Sequence, residues 1–99
     1  MRLQVSEDGA RAFISGDFTF ADHNGFKEMM TKLLAANQPS IVIDLSSLDF
    51  IDSAGLGMLL LVRDEAGKAS RALTLKGPHG QVKRLFDLTK FDTLFAIEQ

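Results

Sequence analysis

Ile41-Val42-Ile43-Asp44-Leu45-Ser46-Ser47-Leu48-Asp49-Phe50-Ile51-Asp52-Ser53-Ala54-Gly55-Leu56-Gly57 decides how the rest of the chain is read. It opens as a strand, passes through a polar stretch that reads as a tight loop, and delivers a serine to the mouth of an apolar helix. Three consecutive β-branched residues, Ile41 to Ile43, predict a strand covered on both faces. Ser53 falls at the N-cap, where a hydroxyl lies among unpaired backbone N–H groups and can cap the helix or carry a phosphate.

Working outward, the helix is expected from about Ser53 to Lys68, followed by a strand at Ala72-Leu73-Thr74-Leu75. A helical link between two strands implies a parallel pair with a right-handed crossover. Upstream, Phe26, Met29, Met30, Leu33 and Leu34 recur at helical spacing and form one apolar stripe. Thr19 or Asp22 is placed to cap that helix, and Asn37-Gln38-Pro39 to stop it. Gly25 inside it predicts a close packing contact, because glycine otherwise weakens a helix. Leu3-Gln4-Val5 and Arg11-Ala12-Phe13-Ile14-Ser15 read as a hairpin around Asp8-Gly9, with Gly16-Asp17 ending the second strand. Pro78-His79-Gly80 opens a third helix carrying Val82, Leu85 and Phe86, and Leu94 to Ile97 closes as an edge element. The order is ββαβαβα with a short C-terminal edge: an α/β fold with a mixed four- to five-stranded sheet and helices packed against it.

Ninety-nine residues suit a single domain, and a chain of that length buries roughly two thirds of its unfolded surface. The absence of cysteine excludes disulfides, thiolate zinc sites and thiol nucleophiles. A net charge of −2 with scattered Lys and Arg argues against a nucleic-acid partner. The longest apolar run, Met58 to Val62, is far short of the ~20 residues of a membrane span, and the N-terminus does not read as a signal peptide. A cytoplasmic protein without cofactor or metal is expected.

Met58-Leu59-Leu60-Leu61-Val62 sweeps around the whole helical circumference. A helix on a sheet hides one stripe, so one or two of Met58, Leu61 and Val62 are expected to be exposed or rim-exposed, marking a binding face. Gly55 and Gly57 in the first turn read either as a close approach by another backbone, from the sheet or a partner, or as internal packing. Asp52 beside Ser53 would repel a phosphate once attached. A hydrolytic reading of Ser53 with Asp52 and His23 or His79 fails on spacing: Ile51 stands where a nucleophile elbow requires glycine. Gly55-x-Gly57 lacks the further glycine and lysine of a nucleotide loop.

Asp44-Leu45-Ser46, Phe50-Ile51-Asp52-Ser53-Ala54-Gly55-Leu56-Gly57 and the helix after them resemble the signature of STAS domains, more narrowly the bacterial anti-sigma factor antagonists. Gly16 and the closing Phe91-Asp92-Thr93-Leu94-Phe95 extend the likeness, so that residues 1–99 read as one STAS domain. The resemblance implies a non-enzymatic binding module, a monomer or weak dimer, whose Ser53 is phosphorylated by a serine kinase that doubles as the anti-sigma factor. A PP2C-type phosphatase would reverse it, and the unmodified form would sequester the anti-sigma partner. The partner face implied comprises Asp17, Phe18, Thr19, Asp52, Ser53, Gly55, Met58 and Val62. One departure stands out: the family often reads Gly-Glu-Leu-Asp where this chain has Gly16-Asp17-Phe18-Thr19. The alternative is a constitutive STAS subunit of an ABC transporter or signalling scaffold, with Ser53 only an N-cap.

Overall fold

The computed structural model describes residues 1–99. Its longest strand, β3 (Ser40–Ile51), carries the quoted stretch as far as the residue before Asp52, so the expected loop is strand instead. The reason lies in its partner β2 (Arg11–Phe18), which runs parallel to it through two irregularities. Between the pairs Phe13–Asp44 and Ser15–Ser47, β3 gains one residue; between Gly16–Leu48 and Asp17–Phe50 it gains another. Each extra residue re-phases the pleat. The buried positions therefore step by two through Ile41, Ile43 and Leu45, then by three to Leu48 and Ile51. Strict alternation fails in the sequence because the strand itself is bulged. Gly16, at φ +81°, lies at the second irregularity and does not end β2, which continues to Phe18.

The sheet has the order β1-β2-β3-β4-β5, with β1 at Arg2–Val5, β4 at Ala72–Lys76 and β5 at Ala96–Glu98. Only the β1–β2 hairpin is antiparallel; the other neighbours are parallel. Helices α1 (His23–Ala35), α2 (Ser53–Lys68) and α3 (Gly80–Leu88) complete the ββαβαβα order and its edge strand. Single 3-10 turns at Phe20–Asp22 and Phe91–Thr93 precede α1 and β5.

One core joins a single face of the sheet to all three helices. Ala12, Ile14, Ile41, Ile43, Leu45 and Leu75 meet Phe26, Met29, Met30 and Leu33 of α1, together with Val82 and Phe86 of α3. Phe18 stacks on Phe26 with ring centroids 4.9 Å apart, each fully buried and stabilising by about 1.5–3 kcal/mol. The opposite sheet face carries exposed Phe13 and partly exposed Val42 and Asp44, so β3 is not covered on both sides as expected. Gly25 is exposed, and an added Cβ would meet only Leu3 Cδ1, at 3.8 Å; the predicted close contact is not there.

On α2 the expectation holds at Leu61 and fails at Met58 and Val62. Met58 and Val62 are 5% and 0% exposed, whereas Leu60 and Leu61 are half-buried. The helix lies on the sheet with α1 alongside it, so more than one stripe is enclosed. α1 ends where Asn37 adopts φ +57°, at the predicted stop, and the Arg71 guanidinium donates to the carbonyls of Leu33 (2.9 Å) and Leu34 and to Asn37 Oδ1 (3.2 Å). No helix is long and apolar enough to cross a membrane.

Candidate functional site

The parallel β2 and β3 end together, Phe18 opposite Ile51, and the chain passes from β3 straight into α2. Asp52 makes that corner. Its backbone is extended (φ −103°, ψ −179°), its N–H donates to the Phe18 carbonyl at 3.2 Å, and its carbonyl accepts the Leu56 N–H at 3.0 Å. Its carboxylate bridges two elements: Oδ1 accepts the Gly55 N–H at 2.8 Å and Oδ2 the Phe20 N–H at 3.3 Å. Asp52, not Ser53, is therefore the N-cap. An aspartate there is as good a cap as serine, and a carboxylate at a helix N-terminus is further favoured by the macrodipole. Ser53 becomes the first helical residue, exposed, with its hydroxyl outside the capping network.

Gly55 is what lets the helix start so close to the sheet. An added Cβ would stand 2.6 Å from Ile51 Cγ1 and 2.8 Å from the Phe18 carbonyl oxygen. The backbone approach left open by the sequence thus comes from β2 within the molecule. Gly57 differs: it is exposed, and nothing lies within 4 Å of a Cβ placed there.

The remaining candidates divide by burial. Asp17, Asp52 and Ser53 are exposed or partly exposed at this corner, and Thr19 is partly buried with its N–H donating to Asp22 Oδ2 at 2.9 Å. Phe18, Gly55, Met58 and Val62 are buried, so these four residues present almost no surface to a partner. Sequence reasoning passed over two aromatic residues that do. Phe20 is 73% exposed, beside His23 at a ring-centroid distance of 6.4 Å, and Phe50 is 40% exposed opposite Asp17. The readable signal for Phe20 was Thr19 with Asp22 three positions on, a capping pattern that starts a helical turn and carries the next residue off the strand's face. For Phe50 the bulge was the obstacle.

Gln81, in the first turn of α3, reaches back to this corner. Its side-chain oxygen accepts the Ile51 N–H at 3.0 Å and its nitrogen donates to the Ile51 carbonyl at 2.9 Å. His79 is exposed at the N-cap of α3. The largest cleft, about 570 Å³, lies along the C-terminal half of α2, between Leu61, Lys68, Leu73 and Phe95; none of the corner residues lines it.

Fold and corner together define a class: a small mixed-sheet α/β module with an exposed serine following the aspartate cap of its second helix. The model of the STAS domain family matches residues 5–99, and the chain belongs to that family. A STAS-domain containing protein of Pseudomonas aeruginosa (strain UCBPP-PA14) is 33% identical over 84 residues, covering 85% of this chain and 82% of that protein. Among solved structures, an anti-sigma factor antagonist from Mycobacterium paratuberculosis shares the fold at TM-score 0.82 and 22% identity, over 98% of this chain and 84% of that one. The anti-sigma factor antagonist SpoIIAA in its unphosphorylated form gives 0.72 and 15%, over 99% and 86%. A sulfate transporter family protein from Wolinella succinogenes gives 0.78 and 15%, over 96% and 80%.

Proposed function

We propose that residues 1–99 act as one cytoplasmic, non-enzymatic STAS domain that antagonises an anti-sigma factor and is switched by phosphorylation of Ser53. The observation that carries this reading is the division of labour at the corner. Asp52 does the capping, so the Ser53 hydroxyl is exposed and unused by the fold. A phosphate there adds about −1.5 to −2 charges at neutral pH. It would stand next to Asp52, whose carboxylate holds the N–H of the exposed Phe20. A partner that covers Phe20 must desolvate this corner, and a dianion makes that desolvation costly. The unmodified form binds the anti-sigma factor, itself a serine kinase, and a PP2C-type phosphatase restores it. The docking face is redrawn around Asp17, Thr19, Phe20, Asp52, Ser53 and Gly57.

The constitutive-subunit reading took Ser53 as only an N-cap. With Asp52 in that position, the reading no longer accounts for the serine. Mass spectrometry of the chain isolated from its native cells tests the choice. The expected result is a fraction carrying one phosphate, on Ser53, that disappears in Ser53→Ala. No phosphate in any growth condition, with co-purification of a transporter, would favour the subunit.

A further inference from the structure

Strand β3 has strand partners on both sides only as far as Asp44, which pairs with Lys76 at the end of β4. Beyond that point β2 continues to accompany it, but the chain leaves β4 through Gly77 and Pro78 and enters α3. At Ile51 the vacant strand position is taken by one side chain. Gln81 offers Ile51 an acceptor at 3.0 Å and a donor at 2.9 Å, the same pair a neighbouring strand would offer. Only an amide in this orientation satisfies both bonds; a carboxylate of the same length accepts but cannot donate.

Ile51 is also where the corner is anchored. Its side chain lies directly beneath Gly55, and its successor Asp52 holds the N–H groups of both Gly55 and Phe20. We propose that Gln81 is a positioning residue for Ser53: by clipping the main chain of Ile51 it fixes the end of β3, hence the Asp52 cap, hence the presentation of the Ser53 hydroxyl and the Phe20 ring. α3 is thereby part of the switch without touching the serine. That Ser53 is the group acted upon rests on the function proposed above; the clip itself does not.

The test uses the intact chain and two variants, Gln81→Met, which removes both bonds at constant length, and Gln81→Glu, which keeps one. Amide hydrogen exchange is read at Ile51, Gly55 and Phe20, with Ile43 and Leu33 as references for global stability. In Gln81→Met all three corner amides exchange at least tenfold faster beyond any change at the references, and Gln81→Glu falls between it and wild type. Corner exchange that merely tracks the references, or that changes at Ile51 alone, overturns the proposal. A second arm follows Ser53 phosphate in native cells. Where the wild-type chain carries it, Gln81→Met lowers occupancy several-fold, and unchanged occupancy overturns the positioning role. A wild-type chain with no phosphate sinks the function proposed above, and the exchange arm still decides the clip.

Discussion

At position 55 a methyl group would press against Ile51 Cγ1 and the Phe18 carbonyl, both of which belong to the sheet and have little room to move. Gly55→Ala is expected to cost about 1–3 kcal/mol, the usual range for an overpacked site. Gly57→Ala, facing open space, should be neutral or stabilising by up to about 1 kcal/mol, since alanine is the better helix former. Urea titrations of the two variants read the contrast directly. Phe20 makes the complementary case: so exposed a ring contributes little to folding, so Phe20→Ser should leave the unfolding midpoint within experimental scatter while weakening partner binding at least tenfold in a pull-down titration. At this scale the placement of Asp52-Ser53 at the start of α2 was legible from the apolar run that follows them. Which of the two caps was not, because both are good N-caps and the outcome depends on where the helix starts.

Among the elements, β3 shows where sequence reading gives out. The α1 stripe was plain because a regular helix repeats its burial, and Phe26, Met29, Met30 and Leu33 are buried as expected. β3 shifts phase twice, so its second half looked like a loop although Leu48 and Ile51 face the core. α2 misled differently: a helical wheel counts residues but not neighbours, and Met58 and Val62 are covered by more than the sheet. On the open sheet face Asp44 yields a prediction with a sign. Burial raises its carboxyl, but bonds from the Ser46 hydroxyl and N–H, with Lys76 and Arg11 nearby, outweigh it and hold the group below the ordinary aspartate value. A carboxyl depressed in the folded state contributes stability above its unfolded pKa of about 3.9 and loses it as pH falls through the folded value. Ser46→Ala should therefore be less stable than wild type at pH 7. The gap should begin to narrow below about pH 4 and close only as pH falls through the lower value of the folded wild-type chain. Denaturant titrations at pH 7 and pH 3 check it; an equal gap at both would assign the effect to packing.

Over the whole molecule, a main stabilising contact lies apart from the proposed switch. Arg71 ties the C-terminal end of α1 to the segment entering β4, at the far end of α2 from Ser53, roughly 24 Å along a 16-residue helix. Removing a charged donor from these carbonyls costs about 1.5–3 kcal/mol, so Arg71→Ala should unfold more readily, by that amount in urea, and Arg71→Lys should recover only part of it because a lysine cannot fork across three acceptors. Neither change is expected to alter partner affinity while the chain stays folded. The order of elements was readable because each crossover carries its own helix. The Arg71 clamp was not, since its partners lie more than thirty residues away in sequence. What unites these scales is a hydrogen-bonded corner that leaves one serine exposed. The most direct measurement is a calorimetric titration of the partner captured on Ser53→Ala bait, against Ser53→Ala and Ser53→Asp chains. Binding weakened by about thirtyfold or more in the Asp variant, about 2 kcal/mol, is the predicted result. Equal affinities, with both circular dichroism spectra unchanged, would contradict it.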